Sequence, residues 1–175
     1  MWVPILITVL VIALAAGPVM WLRPTPYQRR IAELRGRAAQ LGLRVQLVPL
    51  ARLGIAGTRA DADSVAGYGL PWIQSAEDDN RVIRQLANRP WCLVRGRMNH
   101  DLHFSGWWDW LKGKQADREW HESLRRLIGE LPDDVIALEN NQQGLWLYWW
   151  ERGGVERAGE MASILKRLKT TSQAL

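Results

Sequence analysis

The stretch VIALENNQQGLWLYWWE, residues 135–151, predicts the hairpin around which the rest of the chain folds. Its two strands cover residues 135–139 and 144–151, and the polar residues 140–143 join them. Successive side chains of a strand point to opposite faces, so the second strand offers large apolar groups to both. One set is Leu145, Leu147 and Trp149, and the other is Trp146, Tyr148 and Trp150. One face should meet helices, and the other needs either cover from the same chain or a partner.

Two amphipathic helices flank this hairpin. The first covers residues 117–131, ends at Pro132, and carries one apolar face: Trp120, Leu124, Leu127, Ile128 and Leu131. The second follows Gly153 and Gly154 and has the stripe Val155, Ala158, Met161, Ala162, Leu165 and Leu168. A helix with a single apolar stripe suits one face of an antiparallel sheet. We therefore expect Leu124 and Leu165 to face the core.

Three earlier strands are predicted at residues 43–50, 65–73 and 91–97, with a short helix at 75–87. The second strand contains Gly67, Gly69 and Pro71, which places it at a sheet edge, where proline is tolerated. The predicted fold class is α+β. It consists of an N-terminal transmembrane helix followed by a two-layer domain, with a mostly antiparallel sheet and helices packed on one face.

The N-terminal segment is the basis of the membrane prediction. From Trp2 to Leu22 no residue is charged, and Thr8 is the one hydroxyl. Such a helix would be roughly 31 Å long, the thickness of a bilayer core. A cleaved signal peptide is the alternative, but no Lys or Arg precedes the run. Residues 1–22 are therefore predicted to be a transmembrane anchor.

A basic juxtamembrane helix at residues 23–42 is predicted to set the orientation. Residues 23–44 hold six Arg against Glu33, whereas the rest of the chain has 17 basic and 17 acidic residues. Basic residues stay on the cytoplasmic side, so the N-terminus would lie outside a bacterial inner membrane and residues 43–175 would form a cytoplasmic domain. A collar for anionic membrane lipid is predicted at Arg23, Arg29, Arg30, Arg35 and Arg37. The neutral domain argues against nucleic-acid binding.

The same helix carries an apolar stripe with heptad-like spacing, formed by Tyr27, Ile31, Leu34, Ala38 and Leu41. One interpretation is that the stripe packs on the domain of its own chain. The other is a short coiled coil with a second copy, which would make a homodimer through residues 26–41.

The sequence supports no catalytic, cofactor-binding or metal site. His100, Asp101 and His103, with Asp109 and His121, are the one cluster that resembles metal ligands, but they match no known ligand spacing. Ser105 and Ser123 lack a nucleophile signature, and Gly54 to Gly57 lacks a phosphate-loop pattern. Cys92, the single cysteine, excludes an intramolecular disulfide. An enzyme that uses the 98–121 region stays the competing class.

Aromatic residues mark the candidate contact surface. Phe104 to Lys114 holds four aromatic residues followed by two Lys. This segment either folds back over the sheet as a lid or contacts a membrane surface or a partner. With the hairpin aromatics, the candidate contacts are Phe104, Trp107, Trp108, Trp110, Trp146, Tyr148 and Trp150.

Residues 5–37 resemble a known family. Trp21-Leu22-Arg23-Pro24, followed by Gln28-Arg29-Arg30, is similar to the bacterial preprotein translocase accessory subunit YajC. The resemblance implies one membrane helix, a basic helix and a small cytoplasmic domain. YajC is shorter, its domain does not match residues 43–175, and no functional residue carries over.

The functional prediction follows from these features. We expect a protein-interaction or accessory module with an unidentified protein partner, tethered to the membrane. The alternatives are a translocase-associated subunit similar to YajC and a tethered enzyme. Convergence of His100, His103 and His121 in a cleft would favour the enzyme, whereas scattered imidazoles would favour the interaction module.

Overall fold

A computed structural model describes residues 2–10, 24–55, 64–73, 81–96, 103–113 and 118–173. Residues 3–10 are helical and are called α1 here. The other helices are α2 (Pro26–Gln40), a 3₁₀ helix (Leu50–Leu53), α3 (Arg81–Ala87), α4 (Arg118–Gly129) and α5 (Arg157–Gln173). The strands are β1 (Arg44–Pro49), β2 (Ser64–Pro71), β3 (Trp91–Arg95), β4 (His103–Ser105), β5 (Trp108–Lys112), β6 (Val135–Asn141) and β7 (Gly144–Trp149).

The chain divides into two compact units, Met1–Ala32 and Glu33–Leu175, and the division falls inside α2. The first unit contains the start of α2. There the Thr25 hydroxyl accepts a hydrogen bond from the backbone N–H of Gln28 at 3.2 Å, and the Gln28 side chain accepts one from the Thr25 N–H at 2.9 Å. This reciprocal pair is a capping box, so Thr25 caps the helix.

The prediction of a transmembrane anchor is wrong for the residues that the structure describes. None of the helices in these residues is both long and apolar enough to cross a bilayer. Residues 11–23 lie outside the described residues. The single-pass inner-membrane placement, the outside N-terminus and the cytoplasmic domain depended on this anchor and are withdrawn.

The second unit is built on one seven-stranded sheet with the order β1-β2-β7-β6-β3-β5-β4. Every pair of neighbouring strands is antiparallel, which confirms the α+β prediction and the antiparallel sheet. Helix α5 packs on β2 and β7, and α4 packs beside α5. We call the side of the sheet that these helices cover the helix face, and the other side the opposite face.

The Gly and Pro residues of β2 predicted that this strand lies at an edge of the sheet. This prediction is wrong, because β2 lies between β1 and β7. Gly67 and Gly69 lie opposite Tyr148 and Trp146 of β7. A Cβ atom on Gly69 would lie 2.6 Å from the Trp146 ring, and one on Gly67 would lie 2.7 Å from the Tyr148 ring. The glycines therefore let two large rings lie over the strand, and Pro71 ends it.

The helix face holds the larger apolar core. Leu124 of α4 and Leu165 of α5 are buried, which confirms their predicted orientation. The rings of Tyr68 and Trp149 meet edge to face, with centroids 5.4 Å apart. Farther along the sheet, a second aromatic group joins α4 to β3 and β5, with Trp91, Trp110 and Trp120 in ring contact.

The opposite face is covered from within the chain as well. Leu50 and Leu53 of the 3₁₀ helix pack with Trp146 and Tyr148. The rest of this core comes from the strands: Val48, Val65, Cys92, Val94, Ile136 and Ala137. The 3₁₀ helix supplies Leu50 and Leu53 to this cover, whereas Leu111 of the 98–115 segment is only half-buried there.

The segment at 98–115 contains two strands that the sequence did not predict. Residues 103–112 form the hairpin β4–β5, which adds two strands beyond β3. A bulge between His103 and Ser105 shortens the pairing. Phe104 and Trp110 face α4, so this part of the segment is part of the sheet.

Candidate functional site

The seven candidate aromatic contacts separate clearly by exposure. Trp150 is half-buried, and Trp107, with 64% of its surface exposed, is the one of the seven that faces solvent. The other five are buried inside the chain: Phe104, Trp108, Trp110, Trp146 and Tyr148. Of the predicted contact set, Trp107 is therefore the residue that is free to touch another molecule.

The structure holds Trp107 on a rigid support. It lies in the β4–β5 turn after Gly106, whose φ of +56° suits a residue without a Cβ. The backbone carbonyl of Trp107 accepts a hydrogen bond from the Gly96 N–H at 2.7 Å. The next residue, Trp108, is buried, and the guanidinium carbon of Arg95 lies over its ring, 5.2 Å from the ring centroid. An exposed ring is thus attached to a fixed backbone.

His103 and His121, the two histidines of the 98–121 region that the structure describes, do not converge. His103 Nδ1 lies 3.2 Å from Oδ1 of the buried Asp109. His121 of α4 lies against the Phe104 ring on the helix face, with centroids 5.4 Å apart. Neighbouring strand residues point to opposite sides, so His103 faces away from His121. His100 and Asp101 lie outside the described residues, and those described contain no metal-binding group of three or more His, Cys, Asp or Glu.

A charge cluster that the sequence reasoning missed lies on the opposite face. Glu139 of β6 is buried and accepts a hydrogen bond from the Tyr148 hydroxyl at 2.6 Å. Lys112 Nζ of β5 donates to Glu139 Oε1 at 3.1 Å. One nitrogen of Arg52, on the 3₁₀ helix, lies 3.3 Å and 3.4 Å from the two carboxylate oxygens. We call these four residues the Glu139 cluster.

The cluster fixes the protonation states around it. Burial alone would raise the pKa of Glu139, but hydrogen bonds from Tyr148 and Lys112 and the charge of Arg52 outweigh burial and hold that pKa below its ordinary value. Burial, and then the bond to Glu139, raise the pKa of the Tyr148 hydroxyl. Burial also raises the pKa of the neighbouring Cys92 thiol to about 12. Glu139 is therefore ionised at neutral pH, while Cys92 stays a thiol and is a poor nucleophile.

A second buried carboxylate lies at the end of β7. Glu151 accepts two hydrogen bonds from Arg35 of α2, at 2.8 Å and 2.7 Å, and one from the Tyr68 hydroxyl at 2.7 Å. Glu151 has a φ of +53°, a costly conformation for a residue other than glycine. The paired bond from Arg35 and the bond from Tyr68 hold the carboxylate in place. Arg35 therefore joins the second half of α2 to the sheet.

The described residues of the predicted arginine collar differ in their contacts, and the collar for anionic lipid stays a prediction. Arg35 donates hydrogen bonds to Glu151, and Arg37 donates one to the Gln40 side chain at 3.1 Å. The guanidinium carbon of Arg30 lies 5.2 Å from the centroid of the Tyr27 ring. Arg29 is exposed, and Arg23 lies outside the described residues. In the apolar stripe of α2, Leu34 and Ala38 are fully buried. The homodimer through residues 26–41 stays a prediction.

One sequence signal could have pointed to the Glu139 cluster. Glu139 shares a strand face with Ala137, so the alternation of β6 places a charge where an apolar residue belongs. Its partners cannot be read from the sequence, because Arg52 and Lys112 come from elements far apart in the chain. The sequence did not predict the contacts of Glu151 either, because their donors, Arg35 and Tyr68, also lie far from Glu151 in the chain.

Comparison of the chain with protein-family models, with characterised proteins and with solved structures found no match. The resemblance of residues 5–37 to YajC is therefore neither confirmed nor contradicted.

Proposed function

We propose that this protein is a protein-interaction module whose partner docks over Trp107 at the β4–β5 turn. The observation that carries the proposal is the 64% exposure of Trp107 on a turn whose neighbouring Trp108 and Trp110 are buried. Tryptophan is among the residues most enriched at the energetic centres of protein interfaces.

The fixed backbone supports this proposal. Binding costs less free energy when the contact residue is already held in place, because less conformational freedom is lost. The hydrogen bond from Gly96 to the Trp107 carbonyl and the burial of Trp108 provide this order before any partner arrives. The indole N–H of an exposed tryptophan can also donate to a partner.

The competing enzyme reading has less support. His103 and His121 lie on opposite faces of the sheet, so they form no shared cleft. Glu139 and Glu151 are already held by donors from the same chain. Groups used in this way stabilise the fold and are not poised to exchange protons with a substrate.

The test is site-specific photo-crosslinking in the cells that produce the protein. A photoreactive phenylalanine analogue replaces Trp107 in one variant and Leu47 in the control, because Leu47 is 58% exposed on β1 at the other edge of the sheet. We expect a discrete adduct with one protein from position 107 and not from position 47. Adducts that are identical at the two positions, or absent from both, would contradict the proposal.

A second variant separates binding from folding. Trp107→Ala should melt within a few degrees of the parent, because the removed ring is exposed. It should nevertheless fail to co-purify the protein found in the adduct, while Leu47→Ala retains it. If Trp107→Ala binds that protein as well as the parent does, Trp107 is not the contact. The identity of the adduct also tests the predicted translocase-associated role.

A further inference from the structure

A pocket of about 290 Å³ opens beside the Glu139 cluster on the opposite face of the sheet. Leu53 and Leu111 form apolar walls, Cys92 lies against it, and Arg52, Lys112 and Glu139 line its charged side. Ligand pockets begin at about 300 Å³, so this one suits a small group.

The charges of the pocket do not cancel. Arg52 and Lys112 carry two positive charges against the single negative charge of Glu139. Both cationic side chains are about half exposed, at 48% and 51%, whereas the Glu139 side chain is 2% exposed. The surplus positive charge therefore faces the open side of the pocket.

Arg52 has hydrogen-bonding capacity that Glu139 does not use. The Glu139 carboxylate already receives shorter bonds from Tyr148 and Lys112, at 2.6 Å and 3.1 Å. Arg52 reaches it through one nitrogen at 3.3 Å and 3.4 Å, longer than the roughly 2.7–2.9 Å of a strong charge-assisted bond. Among the described residues Glu139 is the one acceptor that Arg52 contacts, and a guanidinium has five N–H donors.

We propose that this pocket binds a carboxylate carried on a short apolar stem, with the carboxylate between Arg52 and Lys112. The planar fork of an arginine matches two carboxylate oxygens, and a lysine adds a charge from the side. A single negative charge neutralises the surplus on the pocket, and Leu53 and Leu111 would contact the stem. A small free acid and a glutamate side chain of a peptide both present this chemistry.

The experiment follows backbone amide NMR signals of the uniformly ¹⁵N-labelled full-length chain during titration with butyrate. The neutral, similarly shaped butyramide is the matched ligand control. We expect saturable shifts at Gly54, Cys92 and Lys112 with butyrate and none with butyramide. A capped pentapeptide with a central glutamate is titrated in parallel. Saturation by butyrate alone supports the site and assigns a free acid, whereas saturation by the peptide as well assigns a carboxylate carried by a protein.

Two variants complete the test. Arg52→Gln should weaken butyrate binding about tenfold or more, the usual effect of losing a charge-assisted contact. Arg44→Gln removes an exposed arginine at the start of β1, outside the pocket, and should bind butyrate like the parent. Equal shifts with butyrate and butyramide, no shift with butyrate or the peptide, or unchanged binding by a folded Arg52→Gln variant would overturn the proposal.

Discussion

The two faces of the sheet bury similar rings in different surroundings. On the helix face, Trp149 and Tyr68 pack under α5, and the core is made mostly of aliphatic and aromatic groups. On the opposite face, Trp146 and Tyr148 pack under a four-residue 3₁₀ helix, and the ionised Glu139 lies beside them. A helix of 17 residues covers β2 and β7 on one face, whereas the short helix leaves a charged pocket open on the other.

This difference predicts how each face responds to substitution. The stability of the helix face depends on closely packed apolar side chains, so shortening one of these side chains should lower it most. The opposite face depends on hydrogen bonds to one carboxylate and on two glycines, so it should respond to the loss of a hydroxyl or the gain of a methyl group.

The largest effect is expected on the helix face. Leu165→Ala should lower the free energy of unfolding by about 2–5 kcal/mol, because the side chain is fully buried and leaves a cavity. Denaturant unfolding measures this loss. Leu47→Ala, at an exposed position of β1, should change it by less than about 0.5 kcal/mol. Equal losses from the two variants would show that α5 does not cover the sheet.

A smaller loss is expected from Tyr148→Phe on the opposite face. The variant keeps the ring but removes the donor 2.6 Å from Glu139, which should cost about 1.5–3 kcal/mol. The same unfolding experiment measures it. Tyr27→Phe is the matched control, because Tyr27 is 62% exposed. A Tyr148→Phe variant as stable as this control would mean that the hydroxyl contributes nothing to the cluster.

Gly69→Ala tests the close approach of Trp146 to β2. The added Cβ would lie 2.6 Å from the ring, so the ring or the strand must move, at about 1–3 kcal/mol. Gly36→Ala in α2 is the control, since nothing lies within 4 Å of its added Cβ, and it should stabilise the helix slightly. If both substitutions stabilise the protein, the ring does not lie over Gly69.

The smallest effect is expected at an exposed ion pair. Arg167 Nη1 lies 2.6 Å from Glu130 Oε2, and each side chain is 54% exposed. The hydrogen bond and charge of Arg167 lower the pKa of Glu130, but solvent and salt screen such a pair. Arg167→Gln should leave the unfolding midpoint unchanged at moderate salt. A large drop in the unfolding midpoint would mean that this ion pair contributes substantially to the packing of α4 against α5.

The periodicity of the sequence was enough to predict the helix face. The stripes of α4 and α5 each have one dominant period, and the apolar side of each helix became its buried side. Strand β2 was misplaced because its glycines were interpreted as weakness. Their role depends on Trp146 and Tyr148, which lie about 80 residues later in the chain.

The opposite face and the candidate sites could be predicted only in part. The Glu139 cluster was not predicted, because the donors to this carboxylate come from three other elements: β5, β7 and the 3₁₀ helix. Four aromatics between Phe104 and Trp110 marked a contact region, yet the strand pairing that buries three of them and exposes Trp107 is not local. The apolar N-terminal run led to an anchor prediction that the helices of the described residues contradict.

The most direct test of a charged opposite face is a measurement of the pKa of Glu139. The pKa is obtained from the pH dependence of the side-chain carboxyl ¹³C signal, which the Glu139→Gln variant assigns. We expect it below the ordinary glutamate value of about 4.3, because donors from Tyr148 and Lys112 and the charge of Arg52 outweigh burial. A lowered pKa in the folded state means that Glu139 adds stability above about pH 4.3, and that this stability is lost as the pH falls through the lower folded value. Glu139→Gln should remove that part of the acid dependence. A Glu139 that titrates at or above pH 4.3 would contradict the buried ionised cluster.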